Sequence, residues 1–186
     1  MGFLKTYKRV AEPGRERVYL SANTAVLGEV IERVTGRRLA DVLSEEIWSR
    51  VGAEGDAQLV VNERGFPMAH GGLAMTLRDL ARVGLLFTDA AKGKGTAVTS
   101  TMLPRLLGGG RELLKGPYPP WLTPAIYQFD VSNENGVLAK GGFAGQMLYI
   151  DTRLDVVVAY FATNVTLDEP FGRFPIRKLT TTHFEK

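Results

Sequence analysis

A change of hydrophobic period partway along the chain limits what it can fold into. Up to about residue 108, apolar side chains recur every three or four positions; from about 136 they gather in short β-branched and aromatic runs. Helices first and antiparallel strands afterwards predict an α+β fold rather than alternating βαβ units. Val26, Leu27, Val30, Ile31 and Val34 follow Ser21-Ala-Asn-Thr, so a helix is expected to open at short polar capping residues and stop at Gly36. Leu39, Val42, Leu43, Ile47, Trp48 and Val51 predict a second helix, closed by Gly52 and Gly55. Leu59-Val60-Val61 reads as a short strand. Thr76-Leu-Arg-Asp79 has the form of a capping box with Asp for Glu, opening a helix to about residue 90.

Residues 92 to 135 are rich in Gly and Pro, with one short helix expected near 100–107 and an extended Pro117–Trp121. Strands are expected over 136–141, 146–151 and 154–163, the last two joined by a hairpin turn at Asp151-Thr-Arg153. Residues 169–186 could end in a helix, confined to the later part by Pro170 and Pro175. No internal repeat is visible.

The totals exclude several functions. A net charge of +3 with scattered Lys and Arg gives no basic stripe, so nucleic acid is not the expected partner. There is no cysteine, and the two histidines, His70 and His183, lie far apart, so neither a thiolate nucleophile nor an imidazole metal site is expected. No cofactor is called for. No apolar run approaches the roughly 20 residues of a membrane span, and Met1–Lys8 lacks the apolar core of a signal peptide. The compartment stays open between bacterial cytoplasm and periplasm.

Three local signatures occur in order. The first is Pro13-Gly14, then Tyr19-Leu20-Ser21, then Val26-Leu27-Gly28 on a helix ending Val34-Thr35-Gly36. The second is Gly71-Gly72-Leu73, Thr76, Asp79-Leu80-Ala81-Arg82 and Gly84. The third is Lys140-Gly141-Gly142-Phe143-Ala144-Gly145-Gln146, then Tyr149-Ile150-Asp151 and a Val-rich strand ending Thr163-Asn164. Together they resemble the serine β-lactamase and penicillin-binding-protein family, in particular class C-related esterases and amidases of the 6-aminohexanoate-dimer hydrolase type. Ser21 stands where that family usually has Asn, and Gly141 where it usually has Thr.

The resemblance implies a β-lactamase/transpeptidase-like α+β fold, here incomplete. It would be a single partial domain over 1–186, helical over about 20–108 and sheet over about 136–164. Tyr19 would be the proton-relay tyrosine; its alternative is an aromatic packed under the first helix. Lys140 would be the cationic wall residue, holding a substrate carboxylate or tuning the tyrosine; its alternative is a surface lysine at a strand end. The Phe143 amide would donate to the oxyanion, Gly142 and Gly145 would allow close approach of substrate and backbone or simply form a bulge or turn, and Gly141 would belong to the same substrate-binding strand end. Ser21 would hydrogen-bond substrate or cap the helix. The second signature reads as structural support, and His70 as a loop histidine.

The family's nucleophile, S-x-x-K, pairs a serine with a lysine one helical turn on. Ser21, Ser44, Ser49, Ser100 and Ser132 are followed three residues later by Thr24, Ile47, Gly52, Leu103 and Asn135, so the motif does not occur in these residues, and neither does G-x-S-x-G. The expectation is therefore a piece of an amide or ester hydrolase, inactive alone and prone to self-associate. The competing readings are a non-catalytic binding module and one half of a split enzyme completed by an amino-terminal piece.

Overall fold

A computed structural model describes residues 6–9, 11, 12, 19–108, 127–132 and 135–163. Pro13-Gly14, Pro117–Trp121, Asn164, His183 and the carboxyl-terminal helix expected within 169–186 lie outside the described residues.

Helix α1 (Ser21–Thr35) ends as expected, on Gly36 in the left-handed region at φ 67°. Its start corrects the capping expectation. Leu20 is the N-cap, no side chain caps the helix, and Ser21 is the first helical residue. The second predicted helix is real but not uniform. α2 (Leu39–Leu43) runs into a wide π turn at Ser44–Trp48 and then α3 (Ser49–Val51), closed by left-handed Gly52. The Trp48 indole N–H donates to the Gly55 carbonyl at 3.1 Å.

The next segment forms a small ribbon, in which β1 (Gln58–Leu59) pairs antiparallel with β2 (Leu73–Ala74). Helix α4 (Leu77–Ala91) follows, capped by the Thr76 hydroxyl, which accepts from the Asp79 amide at 3.1 Å. The capping box is only half made, because the Asp79 carboxylate is fully buried and turned elsewhere. It accepts the Glu54 amide at 2.9 Å, the Thr76 hydroxyl at 2.8 Å and Arg82 Nη1 at 2.9 Å, while Arg82 also pairs with Glu54. These bonds, the Glu54 amide foremost, hold its pKa below the usual carboxylate range. Asp79 thus ties the start of α4 to the loop after α3. The short helix α5 (Leu103–Gly108) lies where the spacing put it.

The sheet is antiparallel and meandering, in the order β3 (Val131–Ser132), β4 (Val137–Gly141), β5 (Met147–Asp151), β6 (Val156–Tyr160). β5 is buried at every position, which explains why its sequence barely alternates. One sheet face packs Leu138, Leu148 and Ile150 against Leu86, Ala90, Leu103 and Leu106 of the helices. The other gathers Ala139, Met147 and Tyr149, with Val158 and Tyr160 beside them. Helix α4 sits directly on β5 and β6 because Gly84 has no side chain; a Cβ there would lie 2.5 Å from Val157 Cγ1. The β5–β6 loop is two residues longer than expected, because β6 begins at Val156 rather than Leu154. Asp151 pairs with Val156 across the loop 152–155, and the Asp151 carboxylate accepts the amides of Arg153 and Leu154 at 3.0 Å each.

Candidate functional site

Three chain segments meet at one end of β4. The first is the approach to α1, which carries Tyr19 and, one turn into the helix, Thr24. The second is the stretch leading into β3, and the third is the end of β4 with its turn into β5. Period-two alternation puts Lys140 on the same face of β4 as Leu138, the face toward the helices. Its ammonium lies 5.7 Å from the centroid of the Tyr19 ring, a cation–π contact. Tyr19 and Lys140, 121 positions apart in sequence (140 less 19), are thus brought together.

A residue that the sequence did not single out anchors this pair. Asp130 accepts from Lys140 Nζ at 2.9 Å and from the Gly141 amide at 2.8 Å, and its own amide donates to the Ala139 carbonyl at 2.9 Å. The carboxylate is well covered, with its side chain 13% exposed against 37% for Lys140. Lys140 Nζ also donates to the Gly141 carbonyl at 2.6 Å. An ammonium has three donors, so two are committed to the protein, and the third meets no acceptor among the described residues. The segment before Asp130 is clipped to α1 by a hydrogen bond between the Thr24 hydroxyl and Gln128 Oε1 at 2.7 Å.

The β4–β5 turn forms the floor. The Gly142 amide donates to the Gln146 carbonyl at 2.8 Å, and Gln146 Nε2 donates to the Ala162 carbonyl at 3.0 Å. A Cβ at Gly142 would fall 2.8 Å from Gln146 Cβ, so the turn closes this tightly only around glycine. Phe143–Gly145 make a single 3₁₀ turn in which Ala144 (φ 58°) and Gly145 (φ 95°) are left-handed. With the Gly141 and Gly142 amides engaged, the Phe143 amide is the next donor along the strand end, and the residue as a whole is 82% exposed. Ser21 is exposed at the first turn of α1, and no hydrogen bond links it to Tyr19 or Lys140 among the described residues.

Backbone strain concentrates here. Non-glycine residues in the left-handed region cost on the order of 1–2 kcal/mol each. Four such residues occur among those described, and three of them, Tyr127, Gln128 and Ala144, flank this cleft. Strain of this kind persists where surrounding structure over-determines it, which favours a prepared site over a plain surface. Around the cleft, α1 presents Leu27, Val30, Ile31 and Val34 on one exposed stripe, with Val34 81% exposed. His70 lies exposed in the turn before β2, away from any acid partner seen among the described residues.

Among the described residues no cluster of His, Cys, Asp and Glu could hold a metal ion, and no helix is long and apolar enough to cross a membrane. A further concavity among the described residues is a shallow groove of about 530 Å³ between α4 and β6, lined by Arg78, Ala81, Arg82, Leu85, Asp155 and Val157. Ala81 and Arg82 of the second signature line it, but Tyr19, Asp130 and Lys140 do not.

Comparison with known proteins fits this arrangement. The family model described as Beta-lactamase matches residues 1–180. A 6-aminohexanoate-dimer hydrolase of Paenarthrobacter ureafaciens is 36% identical over 170 residues, covering 84% of this chain and 41% of that protein. A solved structure from Bacillus anthracis, named for the same hydrolase, superposes with a TM-score of 0.69 at 29% identity, over 94% of this chain and 44% of that one. A β-lactamase from Mycobacterium bovis shares the fold at TM-score 0.68 and 19% identity, over 95% of this chain and 68% of that one. The chain therefore spans about two fifths of the length of the curated relative it matches.

Proposed function

Because the chain belongs to the serine β-lactamase-like family and has its α+β fold, we propose that the Tyr19–Lys140 cleft is one wall of an acyl-transfer site for small amides or esters. In this reading residues 1–186 are a single partial domain, and the S-x-x-K nucleophile is supplied by a segment outside them. The observation that carries the reading is the Lys140 ammonium over the Tyr19 ring, held there by Asp130.

Tyr19 shares the proton work. A serine hydroxyl attacking the acyl carbon must lose its proton as the bond forms, and the leaving amine or alcohol must gain one as it departs. A phenol held beside a cation can relay that proton between them. The Phe143 amide donates to the oxygen on which charge develops, the role of an oxyanion hole. Gly141 and Gly142 let the acyl group lie against the strand, and Ser21 at the rim hydrogen-bonds the substrate's polar tail. The relative's name, 6-aminohexanoate-dimer hydrolase, makes short linear amides the first substrates to try.

The test begins with the coding DNA on either side of this sequence. An open frame encoding S-x-x-K on an apolar helix is expected. The protein carrying both pieces should hydrolyse a chromogenic short-chain ester or anilide, and Tyr19→Phe should lower kcat by about 10²–10⁴-fold. The 186 residues alone should give no turnover. Turnover by these residues alone that survives Tyr19→Phe unchanged contradicts both the role and the reading. A second reading, in which a separate amino-terminal piece completes the site, is favoured by the exposed apolar stripe on α1. Restored turnover on mixing the two pieces distinguishes it. Ligand binding without any covalent adduct in the joined protein would instead mark a non-catalytic binder.

A further inference from the structure

We propose that Asp130 is a specificity-determining residue that balances the charge of Lys140, so that this end of the cleft takes an uncharged acyl group and discriminates against a carboxylate. The inference rests on the cleft being a substrate site, as argued above, and narrows its substrate class.

The argument starts from charge and burial. A lone lysine on a cleft wall is a carboxylate receptor: a compact point charge with rotatable donors. Here the charge is already answered. Asp130 sits 2.9 Å from Nζ and is the more covered partner, so a ligand reaches the ammonium and not the carboxylate behind it. A ligand carboxylate bonded to the ammonium's third hydrogen would lie roughly 5 Å from the Asp130 oxygens, where the repulsion cancels somewhat more than half of the attraction to Lys140, leaving little to offset the carboxylate's loss of water. A neutral carbonyl meets no such opposition and still accepts that third hydrogen bond.

Asp130 is also not free to turn away. The same Oδ2 accepts the Gly141 amide at 2.8 Å, and its own amide is bonded to Ala139, so the carboxylate is fixed to β4 at both ends. The Thr24–Gln128 bond and the left-handed residues Tyr127 and Gln128 hold the segment leading to it. The negative charge is therefore a fixed part of the wall rather than a mobile counter-ion.

The experiment compares two probes of one shape, phenylacetate and phenylacetamide, on the purified chain at neutral pH and constant ionic strength. Binding is read from the amide resonances of Gly142 and Phe143. Wild type should bind phenylacetamide more tightly than phenylacetate. Asp130→Asn keeps an oxygen for the Gly141 amide while removing the charge, and should tighten phenylacetate about tenfold with little change for phenylacetamide. Lys140→Met, an independent test should the first variant not fold, leaves the Asp130 charge unanswered and removes the donor, so it should weaken both probes, phenylacetate by the larger factor; an equal loss for the two overturns the charge-balance inference. Equal phenylacetate affinity in wild type and Asp130→Asn overturns the charge-balance inference alone. No response to either probe in any variant overturns the site itself, and with it the reading on which the inference rests.

Discussion

Gly84 offers a stringent check of the helix-on-sheet packing that positions the cleft. A methyl group there would sit 2.5 Å from Val157 Cγ1 and 3.2 Å from both Val157 Cγ2 and Leu148 Cδ1. Carbon atoms in ordinary contact are about 3.5–4.0 Å apart, so roughly 1 Å must be found. Leu148 can give a little, being the far end of a flexible side chain. Val157 cannot swing away, because a β-branched side chain is stiff at χ1. Helix α4 must therefore lift off the sheet, loosening Leu86 and Ala90 from their seats. Overpacking of this kind costs typically 1–3 kcal/mol, and replacing a mid-helix glycine by alanine returns about 1 kcal/mol of propensity. Gly84→Ala is accordingly expected to destabilise by about 1–2 kcal/mol, read as a lower urea midpoint at unchanged slope. The decisive arm is Val157→Ala, which removes both opposing methyls at a transfer cost of about 1.6 kcal/mol, about 0.8 per methyl, before any cavity term. On that background Gly84→Ala should become neutral or stabilising by up to about 1 kcal/mol. The same loss in both backgrounds, or no loss in wild type, would refute the argument that Gly84 exists for this contact.

The remaining expectations are brief. Asp79 has its folded pKa lowered by the Glu54 amide, the Thr76 hydroxyl and Arg82, so its stabilisation is fully present above the unfolded value of about 3.9 and is lost as pH falls through the folded one. Asp79→Asn should therefore flatten the acid limb of the stability curve below about pH 4, though not abolish it, since Asp41 and Asp155 are lowered by Arg38 and Lys92 in the same direction. An acid limb as steep as that of wild type counts against Asp79 as a principal acid-labile tie. Gly142→Ala should open the β4–β5 turn, seen as faster exchange of the amide hydrogen at position 142, which bonds the Gln146 carbonyl in the wild type, with little change in global stability. Val34→Glu, on the most exposed position of the α1 stripe, should shift stability by no more than about 0.5 kcal/mol while reducing self-association in sedimentation; unchanged association would show that the stripe is not the sticky surface.

How much of this was legible in the sequence depended on where the information was stored. Local signals carried well. Gly36 and Gly52 ended helices because only a residue without Cβ takes a left-handed C-cap cheaply, and Thr76 opened α4 because its hydroxyl reaches the Asp79 amide. The π turn at Ser44–Trp48 was not legible, since one extra residue in a helical turn leaves the apolar spacing nearly intact. β2 and β3 are two residues each, too short for any period to register. Ser21 misled in an instructive way. A serine at a helix start suggests a cap, but the chain enters α1 one residue earlier and leaves the cap position to Leu20, whose side chain can accept nothing.

The candidate site was half legible for a physical reason. Tyr19, Lys140 and the glycines were visible because each sits in a run whose neighbours also matter, so the run as a whole forms a pattern. Asp130 acts alone: a single carboxylate between Phe129 and Val131, it gains meaning only when β3 lies beside β4 and brings it to Lys140 and the Gly141 amide. No spacing rule links positions 130 and 140, because the register is set by the turn between the strands and not by either residue. The same long-range pairing changes the chemistry expected of Lys140. Read from sequence, it is a wall cation that holds a substrate carboxylate or tunes the tyrosine, or else a surface lysine at a strand end. Read in the fold, it is one half of a fixed ion pair whose other half is more deeply covered, so part of its charge is already answered before any substrate arrives.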